Sequence, residues 1–203
     1  MTRPLRSRID DSAAGGHRAG DRTVRLMTTD IHLRGAHRLD LPSLAELAAA
    51  TFRQAFAADN DPVDFEAYVR EAFSQSRLLD ELEDAKNTFL VAVDDGEQRL
   101  VGYSKLRRGT VADGARGQQP IELERIYVDE SRLGAGLGTR LMRRCIEVAM
   151  EEGRDSMWLG VWERNERAIR FYERWGFEVV GNHTFQLGSD TQTDLVMERL
   201  LEA

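Results

Sequence analysis

Residues 121–139 read Ile121-Glu122-Leu123-Glu124-Arg125-Ile126-Tyr127-Val128-Asp129-Glu130-Ser131-Arg132-Leu133-Gly134-Ala135-Gly136-Leu137-Gly138-Thr139. Eight residues of strand character end at Val128, and three glycines at alternate positions follow. Leu137, Leu141, Cys145, Val148 and Ala149 then recur at helical spacing up to Gly153. A strand, a glycine turn and a helix N-terminus in this order let backbone N–H groups converge with no Cβ in the way. The positive end of the helix dipole adds to them, which predicts an anion pocket suited to a pyrophosphate. A G-x-G-x-G run alone is also met by a tight turn that binds nothing. Two other phosphate-binding patterns are missing. There is no G-x-x-x-x-G-K-[ST], and no acidic residue closes a following strand as a dinucleotide fold requires.

Upstream, Ile31 to Arg34 reads as a short strand. Leu44, Leu47, Ala48, Thr51, Phe52 and Ala55 fall at helical spacing, and Pro62 opens a second helical run through Phe73 that Ser76 to Leu82 continues. Thr88 to Val93 and Leu100 to Leu106 form a hairpin around Asp94-Asp95-Gly96-Glu97. The Gly-, Ala- and Gln-rich stretch Gly109 to Pro120 reads as a mobile loop. Downstream, Met157 to Val161 is a strand and Asn165 to Trp175 a helix stopped by Gly176. Phe177 to Phe185 and Asp194 to Leu200 are two strands around Gly188-Ser189-Asp190. This order predicts an α/β domain with a mixed sheet.

The chain has 203 residues, enough for one well-buried domain. No run of 18 apolar residues could cross a bilayer, so a soluble protein with no membrane partner is expected. Cys145 is the single cysteine, on the apolar stripe of its helix, which predicts a core residue and a reducing cytoplasm. His17, His32, His37 and His183 are scattered without companions at ligand spacing, so no metal is expected. Residues 1–26 hold six Arg against three Asp, a charge of +3, which leaves −10 on residues 27–203 for the total of −7. That leader has too few apolar residues to fold and is expected to be disordered. An acidic body disfavours nucleic acid and draws small cations.

The second decisive stretch is Val161-Trp162-Glu163-Arg164-Asn165-Glu166-Arg167-Ala168-Ile169-Arg170-Phe171-Tyr172-Glu173-Arg174-Trp175-Gly176-Phe177. A V-x-x-x-N-x-x-A-x-x-F-Y-x-x-x-G-F pattern about 30 residues after G-x-G-x-G resembles the GNAT superfamily of N-acetyltransferases. Within it, Leu123 to Val128, Trp158 to Glu163, His183-Thr184-Phe185 and Thr51 to Phe56 look like the PaiA-type spermidine/spermine acetyltransferases. The likeness covers residues 30 to 202.

The resemblance implies a GNAT domain over residues 27–203. Its expected core is a mostly antiparallel sheet of about seven strands, flanked by helices, in which the strand holding Ile126, Tyr127 and Val128 splays from the strand ending at Val161. It implies acetyl-CoA as cosubstrate, its pantetheine arm in the splay against main-chain groups of residues 126–128. Gly134, Ala135, Gly136, Leu137, Gly138 and Thr139 would hold the pyrophosphate, with Asn165, Ala168, Phe171 and Tyr172 closing the far side. Where the family usually carries Gln or Arg, three residues before the middle glycine, this chain has Leu133. Arg132 is the side chain expected to substitute.

Transfer to an amine needs a neutral nitrogen and a proton for the departing thiolate. An alkyl amine of pKa ~10 is about 0.1% neutral at pH 7, a cost of roughly 4 kcal/mol, so a base is useful. Tyr172 is the expected acid, since a tyrosine at this position in the family points at the sulfur. Glu122 and Glu124 share one face of their strand and are read as base, as ligands for a cationic substrate, or as surface charge. His183 is a further base or a structural histidine. Trp158, Trp162 and Trp175 read as packing. The expected acceptor is a small-molecule amine, foremost a polyamine. A protein N-terminus, an antibiotic or toxin amine, and a CoA-binding regulator without turnover are the rivals. A homodimer is compatible with the sequence.

Overall fold

The computed structural model describes residues 30–187 and 190–202. The basic leader and Gly188-Ser189 of the last turn lie outside them. Seven strands and five α-helices follow one another: β1 (Ile31–Gly35), α1 (Leu41–Phe56), α2 (Pro62–Ala72), α3 (Gln75–Glu83), β2 (Asn87–Asp94), β3 (Arg99–Arg108), β4 (Pro120–Val128), α4 (Leu137–Glu151), β5 (Ser156–Trp162), α5 (Glu166–Arg174), β6 (Glu178–Leu187) and β7 (Asp190–Leu200). The run expected to continue α2 is a helix of its own. Ser74 restarts it by accepting a hydrogen bond from the Arg77 N–H.

The strands form one sheet in the order β1-β2-β3-β4-β5-β7-β6. Neighbours are antiparallel except β4 and β5, which run parallel for three rungs only, Pro120 to Glu122 against Ser156 to Trp158. From Leu123 onward β4 has no ladder partner in β5, whose opposite edge pairs with β7 along its whole length. The splay is this parting of two edges.

Each face of the sheet carries its own core. One is built from α4 and α5 over Leu123, Ile126, Val128, Leu159 and Val161. The other is built from α1, α2 and α3 over Val91, Tyr103, Tyr127 and Trp162. The β4 side chains reach both faces unevenly. Lys105 pairs with Arg125 and Leu106 with Leu123, so Glu124 is the extra residue of a bulge. Glu122, Glu124, Arg125 and Tyr127 therefore all belong to the second face, while Ile121, Leu123, Ile126 and Val128 belong to the first.

The loop between β3 and β4, read from composition as mobile, is tied down. The buried Glu198 carboxylate accepts the N–H groups of Arg116 and Gly117 at 2.9–3.1 Å, and Asp155 accepts those of Gln118 and Gln119 at 2.7 and 2.9 Å. Gly114, at φ +87°, brings its backbone so close to the Val180 carbonyl that a Cβ would lie 2.5 Å from it. Two carboxylates distant in sequence, Glu198 of β7 and Asp155 just before β5, hold the loop, a constraint that local composition does not carry.

Phe52 anchors the helical layer: it is fully buried and stacks on Phe65 at 5.5 Å, with Phe56 and Phe73 at 4.8 and 5.2 Å. Phe52→Ala is expected to destabilise the fold by about 3–5 kcal/mol. Denaturant unfolding with an unchanged midpoint would contradict this packing.

Candidate active site

The site begins at the parting of β4 and β5. Ile126 and Val128 are buried among α4 side chains, while the edge of residues 123–128 that faces β5 has no ladder partner there. Beyond β4 the chain turns through Gly134 (φ +79°) and Gly136 (φ +73°) and enters α4 at Leu137. A left-handed N-cap at Gly136 is open to glycine at little cost. The first helical hydrogen bond within α4 is Arg140 N–H to Gly136 O at 3.1 Å, so the N–H groups of Leu137, Gly138 and Thr139 precede the ladder. Leu133 packs against the first core. Arg132 has its charge matched by Asp94 at 2.7 Å and Glu97 at 2.5 Å. The cradle that fits a pyrophosphate is thus one of backbone donors at the positive end of a 15-residue helix.

Across the gap, Asn165 caps α5 by accepting the Ala168 N–H at 3.2 Å. Ala168, Phe171 and Tyr172 are buried. Tyr172 is 2% exposed, set edge-on to Phe171 and Phe177. Its phenol also bears on β4: burial raises the Tyr127 phenol well above its usual pKa, and Tyr103 and Tyr172 add to the rise.

Glu122 and Glu124 do share a face, but neither is surface charge; their exposures are 0% and 1%. Glu124 lies in a buried cluster with Lys105 at 3.0 Å, Arg107 at 3.2 Å and Arg125 at 3.3 Å. Glu81 of α3 completes it, 2.7 Å from Arg125 and 3.1 Å from Lys105. Burial pushes the Glu81 carboxyl up, but Arg125 and Lys105 outweigh it and hold the group below its usual range. Glu122 differs in having fewer cations around it and in bordering a cavity. One oxygen is held by Arg107 and by the Thr110 hydroxyl at 2.8 Å, and Oε1 is buried with no hydrogen-bond partner. Burial raises its pKa against the pull of Arg107, with Glu124 adding to the rise.

Glu122 lines a cavity of about 290 Å³ together with Arg107, Asp113, Trp158 and His183. That is near the lower end of small-molecule sites. Neither the cationic cluster nor the role of the β3–β4 loop as a wall of this cavity is marked by any local pattern in the chain. Opposite charges in adjacent strands are the one signal of the cluster, and they are readable only once the register is known.

The family model for Acetyltransferase (GNAT) family matches residues 42–177. The chain belongs to the GNAT acetyltransferase family. It is 33% identical over 162 residues to an uncharacterized N-acetyltransferase of Lactobacillus delbrueckii subsp. lactis, covering 80% of this chain and 92% of that protein. It is 30% identical over 90 residues to the spermine/spermidine N(1)-acetyltransferase of Bacillus subtilis, covering 44% of this chain and 59% of the other. Its fold is similar to that of the PaiA N-acetyltransferase of Thermoplasma acidophilum, solved with coenzyme A. The TM-score is 0.67 at 24% identity, over 84% of this chain and 99% of that one.

The GNAT chain is an acetyl-CoA-dependent N-acetyltransferase, and the glycine cradle and the parted edge fit that cosubstrate. Cys145 is fully buried, its thiol pushed up to about 12 by burial, which suits core packing. Trp158 and Trp162 are buried as packing residues. Among the described residues no helix is long and apolar enough to cross a membrane, and no cluster of three His, Cys, Asp or Glu could hold a metal ion.

Gly136→Asp should place a carboxylate against the pyrophosphate and reduce acetyl-CoA affinity below detection by calorimetry. An unchanged Kd in a variant that still melts cooperatively would remove the cradle from this turn.

Proposed function

We propose that this GNAT enzyme acetylates a primary amine of a small organic cation, a polyamine in the first instance, with Glu122 as base and Tyr172 as acid. The observation that carries the reading is the Glu122 carboxylate, which is buried, has one oxygen without a partner and lines a cavity beside the parting strands. Among the buried side-chain atoms without a partner, this oxygen belongs to a carboxylate that lines the cavity, where an incoming ammonium can supply the donor. The acidic body and the similarity to a spermine/spermidine acetyltransferase support the cationic class. A single cysteine, buried and unbridged, fits a cytoplasmic setting.

Glu122 takes a proton from the acceptor ammonium, directly or through water, and its raised pKa brings it closer to working pH as a base. The freed nitrogen bonds to the acetyl carbonyl carbon as the carbon–sulfur bond breaks; Tyr172 gives its proton to the departing thiolate and regains one as the nitrogen, now in the amide, sheds its second proton, while the proton held by Glu122 passes to solvent. Main-chain N–H and C=O groups of residues 126–128, Asn165 and the glycine cradle hold the donor. Glu124 serves by position, since three cations already surround it. It fixes β4 at its bulge.

Two variants separate these roles. Tyr172→Phe keeps the ring and should lower kcat by roughly 10²–10⁴-fold with acetyl-CoA affinity unchanged. A wild-type kcat at every pH would return Tyr172 to packing. Glu122→Gln should lower kcat by a similar factor and remove the acid limb of the pH profile. In the wild type that limb should lie above the ordinary carboxylate range, because the raised Glu122 is active as a base only above its pKa and is lost as pH falls through it. A limb that persists in Glu122→Gln would assign the base elsewhere.

A further inference from the structure

The cavity that contains Glu122 has a second end. His183 of β6 lines it as well, and His183 Nε2, like Glu122 Oε1, is buried without a hydrogen-bond partner. Two acceptor-capable atoms without donors therefore belong to side chains on one cavity. Behind His183, directly across the β6–β7 ladder, the fully buried Asp194 holds its carboxylate 4.0 Å from Nε2, beyond hydrogen-bond reach but within ion-pair reach. The other charged groups on the cavity are Arg107, which is engaged by Glu122 and Glu124, and Asp113 of the loop.

The spacing selects the ligand's shape. Between β4, which carries Glu122, and β6, which carries His183, lie β5 and β7. Three interstrand steps of about 4.8 Å put the two backbones roughly 14 Å apart across the sheet. The floor between them is Trp158 and Val196, both buried and largely apolar. A ligand that meets both ends has a donor at each end and an aliphatic middle.

We propose that His183, backed by Asp194, is a specificity-determining residue that receives a second ammonium of a linear di- or polyamine while the reacting nitrogen lies at Glu122. The inference rests on the amine-acceptor reading above and adds to it where the far end of the acceptor is held. A compact amine can reach Glu122 without reaching His183, so the pair ranks substrates by length and by charge at the distal end.

The test is steady-state kinetics of the full chain with saturating acetyl-CoA, spermidine, a series of linear α,ω-diamines of increasing length, and monoamines of matching length. In the wild type, KM should fall steeply once a diamine is long enough to span the cavity, and it should stay high for monoamines. His183→Ala should raise KM for spermidine and the long diamines by about 10-fold, the scale of one hydrogen bond to a charged group, with kcat and the monoamine KM unchanged. His183→Gln, which keeps an acceptor, should recover most of the preference. An equal rise in KM for both amine classes, or a wild-type series flat with length, overturns the role of His183 while leaving the transferase reading in place. The length series decides the matter even if His183→Ala fails to fold. A wild type that acetylates no alkylamine at all overturns both readings, and turnover on a different amine class would then show that the transferase itself is intact.

Discussion

The parting of β4 from β5 after three rungs is the constraint on which the rest of the molecule depends. Two parallel strands that began a ladder would normally finish it, since an abandoned edge leaves N–H and C=O groups without partners. Each strand is held instead by the neighbour on its other edge, β5 by β7 through seven residue pairs and β4 by β3, where β4 carries a bulge at Glu124. The sheet thus opens a wedge in its own middle, and a cosubstrate able to hydrogen-bond like a strand can complete it.

The bulge has an electrostatic consequence. By adding one residue to β4 it puts Arg125 and Tyr127 on the face of Glu122 and Glu124, covered by α1–α3, where strict alternation would have sent them to the other side. Arg125 can then meet Glu81 from α3, and Lys105 joins both carboxylates. Buried ion pairs seldom add much net stability, because desolvation offsets attraction, but removing one member leaves the others uncompensated. The cluster accordingly fixes where α3 sits on the strand more than it strengthens the fold.

What was legible in the sequence was local. The glycine turn, the helix it opens and the N-x-x-A-x-x-F-Y helix each lie within one short stretch, and each is held by contacts a few residues apart. The common face of Glu122 and Glu124 could be read because no bulge intervenes between them. Their burial could not, because Lys105, Arg107 and Arg125 reach them only through the β3–β4 register. For the same reason the β3–β4 loop looked mobile. Its anchors, Glu198 and Asp155, lie more than 35 residues away. Arg132 illustrates the opposite limit: position suggested a phosphate ligand, yet Asp94 and Glu97 of the β2–β3 turn match its charge.

The two faces of the sheet divide the chemistry between them. The glycine cradle and Tyr172 belong to the side of α4 and α5, whereas Glu122, Trp158 and His183 line a cavity on the opposite side, walled by the tied-down loop. A continuous sheet would separate donor from acceptor by a layer of backbone. Because β4 and β5 diverge just beyond Glu122, that layer is open beside the proposed base, and a nucleophile entering from one face can meet an acetyl group presented from the other. Closing the wedge with further β4–β5 rungs would leave both half-sites intact and still abolish transfer. On the proposed reading, the abandoned edge is what joins the cosubstrate site and the acceptor site into one reaction centre.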